Sequence, residues 1–387
     1  MTDALSTALS SAHALLHSVF GFNEFRPGQE EIVRAVLAGE NVLTVMPTGS
    51  GKSLCYQLPA IVRPGLTLVV SPLIALMRDQ VRALAAAGVA AGSLNSSNEP
   101  AENARVMGLL NRRELRLLYV APERLARPDT IEMLAEANVT MMAIDEAHCV
   151  SQWGHDFRPE YLSLGNAARQ IGGRLQTLAL TATADAPTRG DIVDKLFPVS
   201  PPRVFVRSFD RPNLRLAFQT KERSSRQVLA FVRAHEGESG IVYCSSRRKV
   251  EELATTLAGS GVRALPYHAG LDKRVRDANQ DSFQQDDGVV MTATVAFGMG
   301  IDKPDVRFVC HADLPSNVEA YYQEIGRAGR DGLPADTLTL YGLGDMQLRR
   351  LQIEQSDSSD ERKRIERQRL GALLALAEAP RCRRQTL

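Results

Sequence analysis

No run of the 387 residues approaches the roughly 18 consecutive apolar positions of a membrane-crossing helix. The first ten residues hold one acid, Asp3, and no Lys or Arg, so the charged start of a secretory signal is missing. Cysteine is sparse and unpaired. Cys55, Cys149, Cys244, Cys310 and Cys382 are odd in number and widely spaced, which excludes a disulfide framework and any CxxC pair and points to a reducing, cytoplasmic compartment. Charge of one sign is lacking too: 46 Lys and Arg against 45 Asp and Glu leave a net +1, so an anionic partner must be met by a local patch. Aromatic residues make up only 5%, with a single tryptophan, Trp153.

What is present is apolar material, 44% of the chain, enough for two or three cores at about 150 residues per domain. Near-continuous apolar runs read as strands buried on both faces: Asn41–Met46, Leu66–Val70, Arg116–Val120, Thr140–Ile144 and Gln176–Leu180. Between them Ile74, Met77, Val81 and Leu84 recur at helical spacing, with Pro72 before them and Gly88 after. Repeated βαβ predicts a doubly wound parallel sheet. The pattern breaks at Pro198–Pro202 and again at the FDRP of 209–212, where a linker is expected. A second set of strands follows at Gly240–Cys244, Arg263–Tyr267, Val289–Thr292, Val306–Val309 and Thr337–Leu340. The expected division is 1–207, 208–343 and a helical segment 344–387. Residues 349–384 carry ten Lys and Arg against six Asp and Glu; they form either a solvated amphipathic helix or a phosphate-contacting surface.

The sharpest local signal is MPTGSGKS at 46–53, after a strand and before a helix, the context of a P-loop. The backbone of Thr48, Gly49, Ser50 and Gly51 would close on phosphate oxygens, Lys52 would meet the β- and γ-phosphates, and Ser53 would ligate Mg²⁺. Position 46 is Met where the strict pattern has Gly. A second signal, IDEAH at 144–148, ends a strand at the edge where open α/β sheets bind ligands. There Asp145 would hold Mg²⁺ and Glu146 would orient and deprotonate the attacking water. In the second half, Gln323, Arg327 and Arg330 are spaced four and three apart and share a face if helical. They would act as arginine fingers with a glutamine; spacing does not rank Arg327 against Arg330. Trp153, Phe157 and Tyr161 at i, i+4 and i+8 fit a core stripe on a helix. Gly154, Pro159 and the polar His155, Asp156 and Arg158 favour a loop whose aromatics stack on bases.

With PTGSGKS, DEAH, LTATA at 180–184 and QEIGRAGR at 323–330, the chain resembles a superfamily-2 helicase with two RecA-like domains. FNEFRPGQ at 22–29 and SQWGHDFRPEY at 151–161 narrow the resemblance to RecQ DNA helicases. So do SPLIALMRDQ at 71–80, YHAGL at 267–271 and TVAFGMGIDKP at 294–304. The resemblance implies ATP and Mg²⁺ as cofactors, with Phe22, Arg26 and Gln29 recognising adenine. It implies 3′-to-5′ movement on single-stranded DNA, duplex unwinding in recombination and repair, and a nucleoid-associated, membrane-free, monomeric protein, with a single-strand-binding protein among the conceivable partners. DNA contacts fall on Ser71, Arg78, Trp153, His155, Phe157, Arg158, Thr181, Thr183, His268 and Thr294. Cys382 resembles the first ligand of the family's zinc module; without its partner cysteines no zinc is expected here, and 344–387 is expected to be poorly anchored. Two rivals remain: an RNA helicase of the DEAD-box kind, disfavoured by DEAH, LTATA and QEIGRAGR, and a binding module whose ATP site acts as a clamp, disfavoured by Glu146.

Overall fold

The computed structural model describes residues 2–387 apart from 153–156, 174, 209, 296 and 298–302. It divides into two units, Met1–Phe209 and Asp210–Leu387. In the first, β1 (Val42–Val45), β2 (Leu66–Val70), β3 (Ala91–Leu94), β4 (Leu117–Val120), β5 (Val139–Ile144), β6 (Gln176–Thr181) and β7 (Arg203–Val206) form one sheet in the order β3-β4-β2-β5-β6-β1-β7. Every described ladder in it is parallel. β1, β2 and β4 are buried along their whole length because helices cover both faces. One core gathers Leu43, Leu68, Leu118 and Ile144 and a second Val42, Val69, Tyr119 and Leu178, so alternate residues of the same strands face opposite ways.

The order β5-β6-β1 decides where chemistry can sit. The segments leaving the C-terminal ends of these three neighbours are DEAH, LTATA and the P-loop, drawn from positions more than 130 residues apart. Met46 N–H donates to Thr181 O at 3.0 Å and Asp145 N–H to Val70 O at 2.9 Å, which carries the ladder to the mouth of each loop.

The second unit holds β8 (Leu214–Thr220), β9 (Gly240–Tyr243), β10 (Ala264–Tyr267), β11 (Val290–Ala293), β12 (Phe308–His311) and β13 (Ala335–Tyr341), also parallel, in the order β10-β11-β9-β12-β13-β8. β12 starts two residues later than the apolar run at 306 suggests. The break at 198–202 is not the end of the first unit. The chain there enters β7, which pairs with β1 along its whole length.

The C-terminal segment is not loosely attached, contrary to the expectation above. Leu370, Leu373 and Leu376 of the helix Asp360–Ala377 lie in the core with Leu214, Ile241 and Tyr321. Burying three leucines is worth about 5–9 kcal/mol before ordering costs. Arg384 donates to Pro212 O at 2.8 Å and Leu214 O at 2.6 Å. Cys382 remains exposed.

A carboxylate locks the rim of this sheet. Asp313 accepts from Lys221 at 2.5 Å, Lys249 at 2.7 Å and Ser245 N–H at 2.8 Å. Lys221 also reaches Asp345 at 2.8 Å, on the helix Leu343–Glu354. Burial works to raise the Asp313 pKa, but the bonds from Lys221, Lys249 and Ser245 outweigh it and hold the carboxyl well below its usual range. Its stabilising effect is therefore present above about pH 4, the unfolded value, and is lost as pH falls further. Asp313→Asn should cost about 1.5–3 kcal/mol at pH 7 and flatten the acid limb of the stability curve. Denaturant titrations of both proteins at pH 7 and pH 3 check this.

Candidate nucleotide and nucleic-acid site

Gly49 and Gly51 have φ of 80° and 77°, the left-handed region that lets the loop turn its N–H groups inward. A Cβ at Gly51 would lie 2.4 Å from Gln29 Nε2, so the close approach demands glycine as well. Lys52 Nζ donates to Met46 O at 3.2 Å and Pro47 O at 3.4 Å, which folds it back over the loop. Ser53 stands at the start of the helix Leu54–Val62. Met46 is buried in the apolar core, so its side chain packs beneath the loop.

Asp145 and Glu146 follow β5. Burial first, then the neighbouring Glu146, pushes the Asp145 carboxyl up to about 7, while Lys52 pulls it back down. Glu146 takes φ 48°, ψ 46°, a left-handed conformation uncommon for a side-chain-bearing residue. Its Oε2 is buried and receives no hydrogen bond among the described residues, although His148 Nδ1 stands 3.4 Å away. His148 Nδ1 lies closer to Thr181 Oγ1, at 2.8 Å, so we assign its hydrogen bond to the threonine. Two adjacent carboxylates, Asp145 buried and Glu146 partly exposed with an orphaned oxygen, suit a hard divalent cation. Among the described residues no cluster of three or more His, Cys, Asp or Glu could complete a shell. Asp145 and Ser53 are the residues that would hold a Mg²⁺, which would supply positive charge to phosphate there.

The adenine candidates separate. Phe22 is 49% exposed, as a stacking platform requires. Arg26 bonds Gly49 O. Gln29 is 2% exposed: its amide donates to Ser50 O and Gly51 O, both at 3.0 Å, and Oε1 accepts from Arg26 N–H at 2.8 Å. It clamps the P-loop through its amide N–H groups, and its Oε1 keeps a second lone pair for a base edge.

The DNA candidates separate likewise. Thr181 is fully buried, bonded to His148 and to Thr183 O at 3.0 Å, and Thr183 is 7% exposed. The Thr181 hydroxyl thereby joins the LTATA and DEAH segments. His268 is also buried, between Glu251 at 3.0 Å and Gly270 N–H at 3.2 Å. Ser71, at the end of β2, is buried. Arg78 sits on the helix Ile74–Ala86 beside Asp79, and Thr294 follows β11. Trp153 and His155 lie outside the described residues. Of the aromatic stripe, Tyr161 is core: it is fully buried and its hydroxyl donates to Asp145 O at 2.9 Å. Phe157 is partly exposed, and Arg158 N–H donates to Cys149 O at 2.9 Å.

The arginine motif differs from expectation. The helix Val318–Ile325 carries Gln323 but stops before Arg327, so the three do not share a helical face. Gly329 at φ 58° turns the chain, and a Cβ there would meet Asn213 Nδ2 at 2.4 Å. Arg211 donates to Ala328 O at 2.9 Å and Gly329 O at 2.8 Å, and Asn213 to Gly329 O at 2.9 Å. Arg327 is 8% exposed, whereas Arg330 is half-buried. Sequence reading missed Arg211, Asn213 and His148. The signals were present in FDRPN and DEAH, but only the fold shows what they hold.

A P-loop after β1, a pair of carboxylates after β5 and two parallel-sheet units are the architecture of a P-loop nucleotide-binding protein with two α/β units. The DEAD/DEAH box helicase family matches residues 26–191, and the helicase conserved C-terminal domain matches 221–332. The chain is 48% identical over 374 residues to the ATP-dependent DNA helicase RecQ of Pasteurella multocida, covering 96% of this chain and 58% of that protein. It is 42% identical over 356 residues to its Bacillus subtilis counterpart, covering 92% and 60%. Among solved structures, the Mycobacterium smegmatis helicase Lhr bound to ssDNA and AMP-PNP aligns with TM-score 0.69 at 21% identity, over 94% of this chain and 57% of that one. S. cerevisiae Dbp5 bound to RNA and ADP BeF3 aligns with TM-score 0.69 at 16% identity, over 94% and 99%; at such identities the likeness is one of fold. The chain belongs to the RecQ family of DNA helicases and spans about three-fifths of the length of the curated relatives it matches.

Proposed function

We propose that this chain is an ATP- and Mg²⁺-dependent DNA helicase core that moves 3′ to 5′ on single-stranded DNA and opens duplexes during recombination and repair. The observation that carries the reading is Glu146, held in a left-handed backbone with a carboxylate oxygen unbonded among the described residues, next in the chain to Asp145. A base poised for water fits an enzyme better than a static clamp. Phe22 and Arg26 hold the adenine end of ATP, while the P-loop backbone and Lys52 grip the phosphates. Mg²⁺ bound through Ser53 and Asp145 would neutralise charge between the β- and γ-phosphates. Glu146 orients and deprotonates water, and Gln323, Arg327 and Arg330 of the second unit supply hydrogen bonds and positive charge to the transferred group. Arg78, Phe157 and Arg158, with Trp153 and His155, meet the strand.

Phosphate release measured without nucleic acid, with single-stranded DNA and with single-stranded RNA tests the class. We expect DNA to raise turnover by at least about tenfold and RNA to raise it little. Unwinding of a 3′-tailed against a 5′-tailed duplex then tests direction, and unwinding only from a 5′ tail would overturn it.

A further inference from the structure

We propose that Gln57 and Gln80 are positioning residues that transmit DNA occupancy on the helix Ile74–Ala86 to the metal-binding Ser53. The inference rests on the reading above, in which Arg78 meets DNA and Ser53 ligates Mg²⁺. Both helices pack on the same face of the first sheet, where Tyr56 and Met77 share a core with Tyr119. Through that core runs a chain of hydrogen bonds centred on Gln57. Its backbone N–H donates to Ser53 O at 2.9 Å, one helical turn back. Gln57 Nε2 donates to Tyr119 Oη at 3.2 Å and to Gln80 Oε1 at 2.6 Å. The Tyr56 and Tyr119 rings meet edge to face at 6.4 Å beside it. One end of the chain is therefore the backbone of Ser53. At its other end Gln80 lies two residues beyond Arg78.

Tyr56, Gln57 and Tyr119 are all at least nine-tenths buried. Polar groups there are costly unless bonded, and apolar side chains would fill the same space without that demand. Hydrogen bonds weaken steeply with stretching and misalignment. A shift of the Ile74–Ala86 helix by about an ångström would break the Gln80 bond and free Gln57 to reorient against Tyr119. That rearrangement would alter the support of Ser53 with no movement of the sheet.

The test uses the full chain. Gln57→Leu, Gln80→Leu and the double variant are compared for basal turnover, single-strand affinity, DNA-stimulated turnover and melting temperature. We expect basal turnover and affinity within about twofold of the parent, and DNA stimulation reduced about 5- to 20-fold. The double variant should be no worse than the weaker single, because both cut one link. Gln80→Glu keeps an acceptor for Gln57 and should retain stimulation. Tyr119→Phe, which keeps the ring, replaces Gln57→Leu if that protein fails to fold. Unchanged stimulation, additive losses, or a loss of affinity matching the loss of stimulation would each overturn the proposal. A parent protein not stimulated by DNA would refute the functional reading itself, and the link with it.

Discussion

Lys52→Ala is expected to cut ATP turnover by roughly 10²–10³-fold or more while leaving the first unit folded. The two halves of that result have separate causes. The side chain lies over its own loop, with long bonds to Met46 O and Pro47 O at 3.2 and 3.4 Å. Losing such bonds from a partly exposed position costs about 1 kcal/mol. The helix Leu54–Val62 keeps its packing through Cys55, Tyr56 and Leu58. What disappears is the cation facing the phosphates, whose charge redistributes in the transition state. The same ammonium pulls the Asp145 carboxyl down against burial and Glu146. Its loss should therefore also weaken Mg²⁺ binding near neutral pH by favouring protonated Asp145. Turnover within threefold of the parent would refute the P-loop assignment. Melting temperature and Mg²⁺-dependent nucleotide binding, measured on the same samples, separate chemistry from folding.

Arg330→Ala is the second large expected effect: a fall in kcat of about 10³-fold with nucleotide KM changed only severalfold. Burial separates the two arginines where spacing could not. Arg327 is buried, so Arg327→Ala removes packed volume and should lower stability by about 1–3 kcal/mol along with activity. Arg330, half-buried on a turn held by Arg211 and Asn213, can be truncated with little loss of packing. We therefore expect Arg330→Ala to melt within a few degrees of the parent and Arg327→Ala to melt earlier. If both change only KM, neither arginine acts on the transferred phosphoryl group.

The motifs of the first unit were legible because each is local. MPTGSGKS needs only two glycines, a lysine and a following helix, and IDEAH needs only a strand end. Most central strands were legible as well, since burial on both faces writes a continuous apolar run. The three strands that escaped notice, Ala91–Leu94, Arg203–Val206 and Leu214–Thr220, all lie at sheet edges. An edge strand has one bonded neighbour and a half-covered surface, so its sequence need not be apolar throughout. Val204 and Val206 are each 48% exposed, and Arg203 stands among them. The RGR turn was misread for a related reason. Helical spacing of 323, 327 and 330 says nothing of whether the helix continues, and here Gly329 and the bonds from Arg211 and Asn213 set the turn.

The sequence by itself determined which groups could bind phosphate, hold a metal and activate water, because those capacities belong to residue types at short spacing. Only the tertiary structure decided which groups serve one another. Thr181 supports His148 across 33 residues, Tyr161 supports Asp145 across 16, and Gln57 meets Gln80 across 23. Such pairings follow from strand order and from which helix faces share a core. No local pattern records them, because a hydrogen bond between distant residues is set by the fold that brings them within 3 Å.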